Sequence, residues 1–313
     1  MNYLVSLHRK FRIIRLIRIL RLIKSSPVSI TKNQIKFIRQ LEQKKFRRRE
    51  GLFVAEGTKV VGDLLTHYRP HSIFATPEWL AGHQSSCQSS APLIQEVTPD
   101  ELRRISFLQH PQQVLAIFPL PSSSLTISSS SLPISSSSLP ISSSSQPSDS
   151  SPSSFLLPPS SKKSLLLSLD GIQDPGNLGT IIRIADWFGI DHIICSEDTV
   201  DAWNPKVVQA TMGSIARVNI IYTNLIQFID TLPEGFPIYG TLLDGENIYT
   251  QTLTPHGLII MGNEGNGISP EIRSRVNHRL LIPSYRTDDT AESLNVAIAT
   301  AITCAEFRRC FPS

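Results

Sequence analysis

Three segments in the second half of the chain combine residue types that suit the binding of a ligand by main-chain groups. They lie at 169–183 (LDGIQDPGNLGTIIR), at 259–269 (IIMGNEGNGIS), and at 281–283 (LIP) followed by 292–297 (ESLNVA). Each begins in an apolar run typical of a buried strand and then changes to Gly, Asn and Ser, which permit unusual backbone angles and leave backbone polar groups accessible. Because ligands of α/β proteins bind where strands end, this order predicts a ligand site at the carboxyl ends of strands.

Alternating strand and helix patterns from residue 165 onward must position these segments. The predicted strands lie at 165–169, 192–195, 218–222, 238–242, 257–261 and 279–282. The predicted helices lie near 178–188, 205–212, 225–231, 270–276 and 293–309. Such alternation predicts an α/β fold with a mostly parallel sheet covered by helices on both faces.

The first half of the chain predicts a smaller α/β unit. Its strand patterns lie at 52–56, 72–75 and 114–118, and its helical patterns lie near 31–41, 60–65 and 100–105. Between the two units, the Ser-rich segment 128–134 recurs identically at 135–141. Proline in both copies and the abundance of Ser exclude a stable coiled-coil helix, so we predict a disordered linker. The expected regions are a basic, flexible arm at 1–30, a small domain at 31–120, a linker at 121–161 and a larger domain at 162–313.

Charge is distributed very unevenly along the chain. Residues 1–49 hold 15 Lys and Arg against one acidic residue, a net charge of +14, whereas the rest carries −10. A basic arm on an acidic body indicates a polyanionic partner, with nucleic acid ahead of membrane, and a solvated charge run is the alternative. Repeated Arg in 12–24 excludes an ordinary membrane span there; a presequence, or a start codon further downstream, stays open. The predicted nucleic-acid contacts are Lys44, Lys45, Arg47, Arg48 and Arg49.

Cysteine and histidine usage excludes several classes of protein. The four cysteines are scattered and form no Cys-x-x-Cys pair, so neither a disulfide framework nor a zinc site is expected, and the cytoplasm is the expected compartment. The eight histidines show no ligand or triad spacing. We therefore expect no metal site and no Ser-His-Asp hydrolase.

Taken together, the three motifs resemble those of the SpoU/TrmH RNA 2′-O-ribose methyltransferases, in the order of that family. The resemblance implies a deep trefoil knot in the larger domain, an S-adenosylmethionine site within it, and a homodimer formed through the knotted domains. The domain at 31–120, with its FVAEG segment at 53–57, looks like the family's ribosomal-protein-like α/β domain, which binds the RNA substrate. The implied reaction is methyl transfer to a ribose 2′-hydroxyl, with rRNA ahead of tRNA as the substrate.

The family's functional residues carry over onto positions of this chain. The implied cofactor-binding residues are Leu242, Met261, Gly262, Asn263, Ile282, Pro283 and Leu294. The implied catalytic residues are Arg183, Asn177, Glu264, Ser293 and Asn295. The loop between Pro283 and Ser293 is longer than the usual family form and lacks its glycine, so the cofactor contacts there are expected to differ.

Structural roles are the alternatives for the same residues. Arg183 could pair with Asp186 three residues later, Ser293 could be a helix N-cap, and Asn177 could belong to a turn. Two roles stay open for Arg183 in catalysis: accepting the hydroxyl proton, as proposed for the family, or binding a phosphate and stabilising alkoxide charge. The alternative function is a non-catalytic RNA-binding or ribosome-assembly protein that retains the fold. Methylation of a base is disfavoured because the arginine motif resembles the ribose-directed one.

Overall fold

The computed structural model describes residues 29–83, 93–121, 165–286 and 293–311. The chain divides into two compact units between Pro119 and Leu120. The predicted flexible arm and the predicted disordered linker lie almost wholly outside the described residues. No helix in the described part of the chain is long and apolar enough to cross a membrane.

The first unit is a four-stranded sheet with helices packed against it. Its helices are α1 Lys32–Gln40, α2 Lys44–Glu50, α3 Thr58–Leu65, α4 Pro77–Gly82 and α5 Pro99–Ile105. Its strands are β1 Leu52–Glu56, β2 Ser72–Ala75, β3 Ile94–Glu96 and β4 Val114–Pro119, in the spatial order β1-β4-β2-β3. Strand β4 pairs antiparallel with β1 and β2, and β2 pairs parallel with β3.

Helix caps fix where the helices of this unit begin. Thr31 and Thr98 each form a capping box, in which the threonine hydroxyl accepts a backbone N–H and the side chain three residues later bonds back. The carboxylate of Glu101 also accepts hydrogen bonds from Ser29 Oγ (2.7 Å) and Ile30 N (3.0 Å). These donors, that of Thr98 first, lower the pKa of Glu101 to about 2. The start of the described chain is thereby tied to α5.

The second unit is a six-stranded sheet in which every strand pair is parallel among the described residues. Its strands are β5 Leu165–Asp170, β6 His192–Cys195, β7 Asn219–Tyr222, β8 Ile238–Asn247, β9 Gly257–Gly262 and β10 His278–Leu281, in the order β10-β8-β9-β5-β6-β7. Its helices are α6 Pro175–Trp187, α7 Pro205–Ala210, α8 Leu225–Asp230, α9 Pro270–Arg273 and α10 Val296–Cys310. The predicted α/β class and parallel sheet are confirmed.

Alternate residues of the central strands face opposite layers of helices. Leu166 and Ile260 belong to an apolar cluster with Phe228 of α8 and Ile272 of α9. Tyr239 of β8 is buried in edge-to-face contact with Phe307 of α10, with ring centroids 4.8 Å apart. Arg308 of α10 donates to the carbonyls of Phe188 (2.7 Å) and Gly189 (2.9 Å) just after α6. Helices α6 and α10 are thus joined to each other as well as to the sheet.

Strand β8 is longer than the prediction, which ended it at Leu242. It continues to Asn247 because the β8–β10 pairing shifts register between Arg279 and Leu280 and then resumes. Gly245 permits this close pairing, since a Cβ there would lie 2.6 Å from the carbonyl carbon of Leu280. Helix ends also differ from the predictions by up to three residues: α6 begins at Pro175, α9 stops at Arg273, and α10 begins at Val296.

Candidate active site at the carboxyl ends of the parallel strands

The second and third of the segments singled out in the sequence line one cavity of about 450 Å³, and no residue of the first segment, 169–183, is among its lining residues. This volume falls within the range of about 300–1,000 Å³ that is usual for small-molecule sites. Six of the seven predicted cofactor-binding residues line it: Leu242, Met261, Gly262, Asn263, Ile282 and Leu294. Pro283 is not among the lining residues. Of the predicted catalytic residues, Glu264 and Ser293 line the cavity.

The loop after β9 is shaped by Asn263. Its backbone exchanges hydrogen bonds with Gly267, at 2.9 Å and 2.8 Å. Its side-chain oxygen accepts the N–H groups of Gly265 (2.9 Å) and Asn266 (3.0 Å), and its amide nitrogen donates to the carbonyl of Gly171 (2.7 Å). Both ends of the Asn263 amide are therefore engaged inside the protein, so its side chain builds the wall of the cavity.

A chain of hydrogen bonds links all three sequence motifs. The amide nitrogen of Asn295 donates to the side-chain oxygen of Asn177 at 2.9 Å, and the amide nitrogen of Asn177 donates to Glu264 Oε1 at 2.5 Å. Asn177 lies in the first turn of α6, where its backbone N–H is held by the Asp174 side chain at 2.7 Å. The second carboxylate oxygen of Glu264 has no hydrogen-bond partner among the described residues.

Helix capping sets the direction of this chain. The side-chain oxygen of Asn295 accepts the backbone N–H groups of Ala297 (3.0 Å) and Ile298 (3.3 Å), which makes Asn295 the N-cap of α10. Because that oxygen is occupied, only the NH₂ end of Asn295 can point to Asn177. Asn177 must then present its oxygen to Asn295 and its NH₂ to Glu264. The alternative that Ser293 is the N-cap is wrong, since Asn295 has that role.

Arg183 lies outside this chain of hydrogen bonds. It is six residues after Asn177 on α6, which corresponds to about 9 Å along the helix axis. The alternative that it pairs with Asp186 is wrong, because the Asp186 carboxylate is paired with Arg217 at 2.8 Å. Arg183 is exposed, and no described residue forms an ion pair or hydrogen bond with it. Its guanidinium is free to meet an external anion.

Other chemistries find little support in the described residues. Cys195 and Cys304 are buried, and burial raises the pKa of both thiols, so neither presents a thiolate nucleophile. Within the described ranges, no group of three or more His, Cys, Asp and Glu side chains could hold a metal ion.

Helix α2 carries the predicted nucleic-acid contacts in the first unit. Lys45, Arg48 and Arg49 are exposed, and Lys44 is partly buried. The ring of Phe46 supports Lys45 and Arg49, whose charged groups lie 5.0 Å and 4.7 Å from its centroid.

The prediction for Arg47 is wrong. This side chain is 2% exposed, and its guanidinium donates to the carbonyls of Leu41 (2.8 Å) and Glu42 (2.6 Å). A buried guanidinium that satisfies the end of α1 is not available to a phosphate. Arg47 therefore stabilises the fold, while its neighbours face the solvent.

Two charged lining residues were missed by the sequence analysis. Asp244 on β8 and Arg273 on α9 both line the cavity and pair with each other. Neither belongs to one of the three motifs, and they are far apart in the sequence, so no local signal could have found them.

Substitution of Asn295 separates its two roles. We expect Asn295→Ala to lower the free energy of unfolding by about 1 kcal/mol, because the cap of α10 is lost. Asn295→Asp keeps an acceptor for the cap and loses the donor to Asn177. Its stability should stay near that of the parent, while turnover at the site falls about tenfold, the effect of one lost hydrogen bond. Thermal unfolding and turnover assays check this, and full turnover by Asn295→Asp would show that the hydrogen-bond chain is dispensable.

Comparison with known proteins agrees with this geometry. Residues 164–305 match the SpoU rRNA Methylase family, and residues 32–116 match the MRM3-like substrate binding domain. A 23S rRNA guanosine 2′-O-methyltransferase of Bacillus subtilis is 38% identical over 139 residues, which cover 44% of this chain and 55% of that protein. The chain thus spans little more than half the length of this relative.

Two solved structures match almost the whole chain. A TrmH-family protein from Porphyromonas gingivalis is 36% identical with a TM-score of 0.71, and the match covers 90% of this chain and 98% of that one. An AdoMet-bound rRNA methyltransferase from Sinorhizobium meliloti is 30% identical with a TM-score of 0.71, covering 91% and 97% of the two chains. With the motifs, the parallel sheet and these full-length matches in agreement, the chain belongs to the SpoU/TrmH family.

Proposed function

We propose that this protein is an S-adenosylmethionine-dependent RNA 2′-O-ribose methyltransferase. The observation that carries the proposal is the hydrogen-bond chain Asn295–Asn177–Glu264, which brings one polar residue from each motif together beside the cavity. Relatives named as rRNA 2′-O-methyltransferases and the AdoMet-bound neighbour support it.

The cavity suits a nucleoside cofactor that carries a short aliphatic chain with a charged end. Leu243 and Leu294 line it with side chains that are 74% and 50% exposed, and a bound ligand would cover this apolar surface. Backbone groups of the 262–268 loop supply donors and acceptors beside them. S-adenosylmethionine, when bound, supplies a methyl group on a sulfonium centre. Leu242, Met261, Gly262, Ile282 and Leu294 are the residues that we propose hold it.

The residues of this chain then position the ribose and handle its proton. Methyl transfer requires the hydroxyl oxygen in line with the methyl group, so orientation supplies much of the acceleration. Glu264, held by Asn177 and with one free carboxylate oxygen, is able to accept the hydroxyl proton. A guanidinium is a cation with five N–H donors and no acceptor, so we assign Arg183 to an RNA phosphate and to the developing alkoxide charge.

The trefoil knot and the homodimer belong to the same proposal. Close backbone approach of β8 to β10 at Gly245 supports the tight packing of separate chain segments that a knot requires. Trp187 on α6 is 85% exposed and Ile298 on α10 is 53% exposed, on two helices that pack against each other. Such apolar surface favours a second copy as its partner. Trp187 follows Arg183 by four residues and so shares its helix face.

The first unit is proposed to bind the RNA, with rRNA ahead of tRNA, and the proposed compartment is the cytoplasm. The match to a substrate binding domain and the exposed cations of α2 support RNA binding. Contacts of this kind are directed mainly at phosphates and weaken with salt.

Removing the exposed cations of α2 tests this role. For the triple variant Lys45→Ala, Arg48→Ala and Arg49→Ala, we expect weaker RNA binding and a salt dependence shallower by about 2 to 3 units of slope, since each lost phosphate contact removes ~0.7–0.9. Filter binding over a range of salt concentrations gives the slope. An unchanged slope would show that α2 does not touch RNA. The control is Arg69→Ala, which removes one exposed cation elsewhere in this unit.

Titration calorimetry with S-adenosylmethionine and S-adenosylhomocysteine tests the function itself. We expect saturable binding near one site per chain, followed by transfer of labelled methyl to rRNA at a ribose, which protects the adjoining phosphodiester from alkaline cleavage. RNA binding by a folded protein that takes up neither cofactor form would instead support the non-catalytic alternative.

A further inference from the structure

The cavity carries a pair of opposite charges that the motif residues do not include. Arg273 of α9 donates to the Asp244 carboxylate of β8, and Arg279 of β10 reaches the same oxygen, Oδ2, at 3.2 Å. Asp244 and Arg273 line the cavity, and Arg279 does not. The side chains of Asp244 and Arg273 are 48% and 40% exposed, so this pair is open to a ligand.

Both members of the pair retain hydrogen-bonding capacity. Asp244 Oδ1 has no partner among the described residues, and neither do Nε and Nη1 of Arg273. A carboxylate can accept several hydrogen bonds and a guanidinium carries five N–H donors. Each group can therefore keep its present contact and also bind a charged ligand group.

The charges of the cavity match one part of the proposed cofactor. The charged side chains among its lining residues are Asp244, Glu264 and Arg273, so Arg273 is the one cationic lining residue in the described chain. The amino-acid end of S-adenosylmethionine carries a carboxylate and an ammonium. A carboxylate taken from water needs a cation or several N–H donors, and a planar guanidinium binds it in a fork.

We propose that Arg273 and Asp244 recognise the amino-acid end of the cofactor, with Arg273 binding its carboxylate and Asp244 its ammonium. This inference rests on the proposed function and adds to it two charged cavity residues that lie outside the three motifs.

Two ligands that differ only at the amino-acid end provide the test. S-adenosylhomocysteine carries that end, and 5′-methylthioadenosine has the same nucleoside and thioether without it. For Arg273→Met we expect the dissociation constant of S-adenosylhomocysteine to rise at least tenfold, which corresponds to 1.4 kcal/mol. The dissociation constant of 5′-methylthioadenosine should change less than threefold. Arg273→Lys, which keeps the charge without the fork, should restore part of the lost affinity.

Arg279→Met is the matched control. It also removes one of the two arginines that bond Asp244, but from outside the cavity, so both ligands should bind nearly as they do to the parent. Calorimetry on the full chain gives all these constants without any turnover assay. A parallel loss of both ligands in Arg273→Met, or no loss of either, overturns the proposal and leaves the methyltransferase function standing. Failure of the parent chain to bind either ligand overturns both.

Discussion

Substitution of Arg183 by alanine should leave the cofactor affinity within about threefold of the parent and lower methyl transfer by a factor of about 100 or more, the scale of a lost transition-state contact. The fold should not change, because Arg183 is exposed and no described residue depends on it. Calorimetry with S-adenosylhomocysteine and a single-turnover methylation assay measure the two effects separately.

Arg217 provides the control for this substitution. It is also an arginine of the second unit, but its guanidinium is engaged with Asp186 of α6 at 2.8 Å. Arg217→Ala removes a partly exposed ion pair, which contributes about 1 kcal/mol at most, and should leave turnover near that of the parent. Turnover of Arg183→Ala equal to that of Arg217→Ala would remove Arg183 from the mechanism.

Substitution of Gly262 by alanine should abolish measurable cofactor binding, with an affinity loss of about 100-fold or more. A Cβ at this position would lie 2.3 Å from the carbonyl carbon of Gly267 and 2.3 Å from the nitrogen of Ile268. Backbone atoms cannot rotate aside as a side chain can, so the loop must move and break its hydrogen bonds between Asn263 and Gly267. This loop is one wall of the cavity.

Gly265 lies in the same loop and gives a sharp comparison. A Cβ there would meet only the Asn263 side-chain oxygen, at an ordinary 3.5 Å. We expect Gly265→Ala to bind S-adenosylhomocysteine within a few-fold of the parent and to unfold at a similar temperature. Equal binding by the two alanine variants would mean that close approach at Gly262 is not needed for the site.

Much of the fold follows from short-range patterns in the sequence. Strands β1, β2 and β6 lie where alternating or continuous apolar runs predicted them, because burial on the sheet selects those residues. Helix α2 was not predicted, since its sequence KKFRRRE has no apolar periodicity. In the structure Arg47 of this helix is buried against the end of α1, and Gly51, at φ 65°, ends the helix in the left-handed region.

The site was only partly predictable for a different reason. The resemblance named Asn177, Glu264 and Asn295 separately, but it could not give the direction of their hydrogen bonds. That direction depends on which residue caps α10, a local choice between Ser293 and Asn295 that the motif leaves open. The extension of β8 to Asn247 could not be read from the sequence either, because it depends on pairing with a strand formed much later in the chain.

The strand order also has a consequence for synthesis. Strand β5 is the first strand of the second unit to be made, but it pairs with β9, whose residues Gly257–Gly262 follow it by 92 positions. At a translation rate of about 5–20 residues per second, the edge of β5 that pairs with β9 stays without its partner for roughly 5–20 s. During that interval a mostly apolar strand, which is buried throughout in the folded protein, is open to wrong pairing. Contacts of such long sequence separation also form slowly. The nascent chain is therefore expected to depend on chaperones from the time when β5 leaves the ribosome until β9 has followed it.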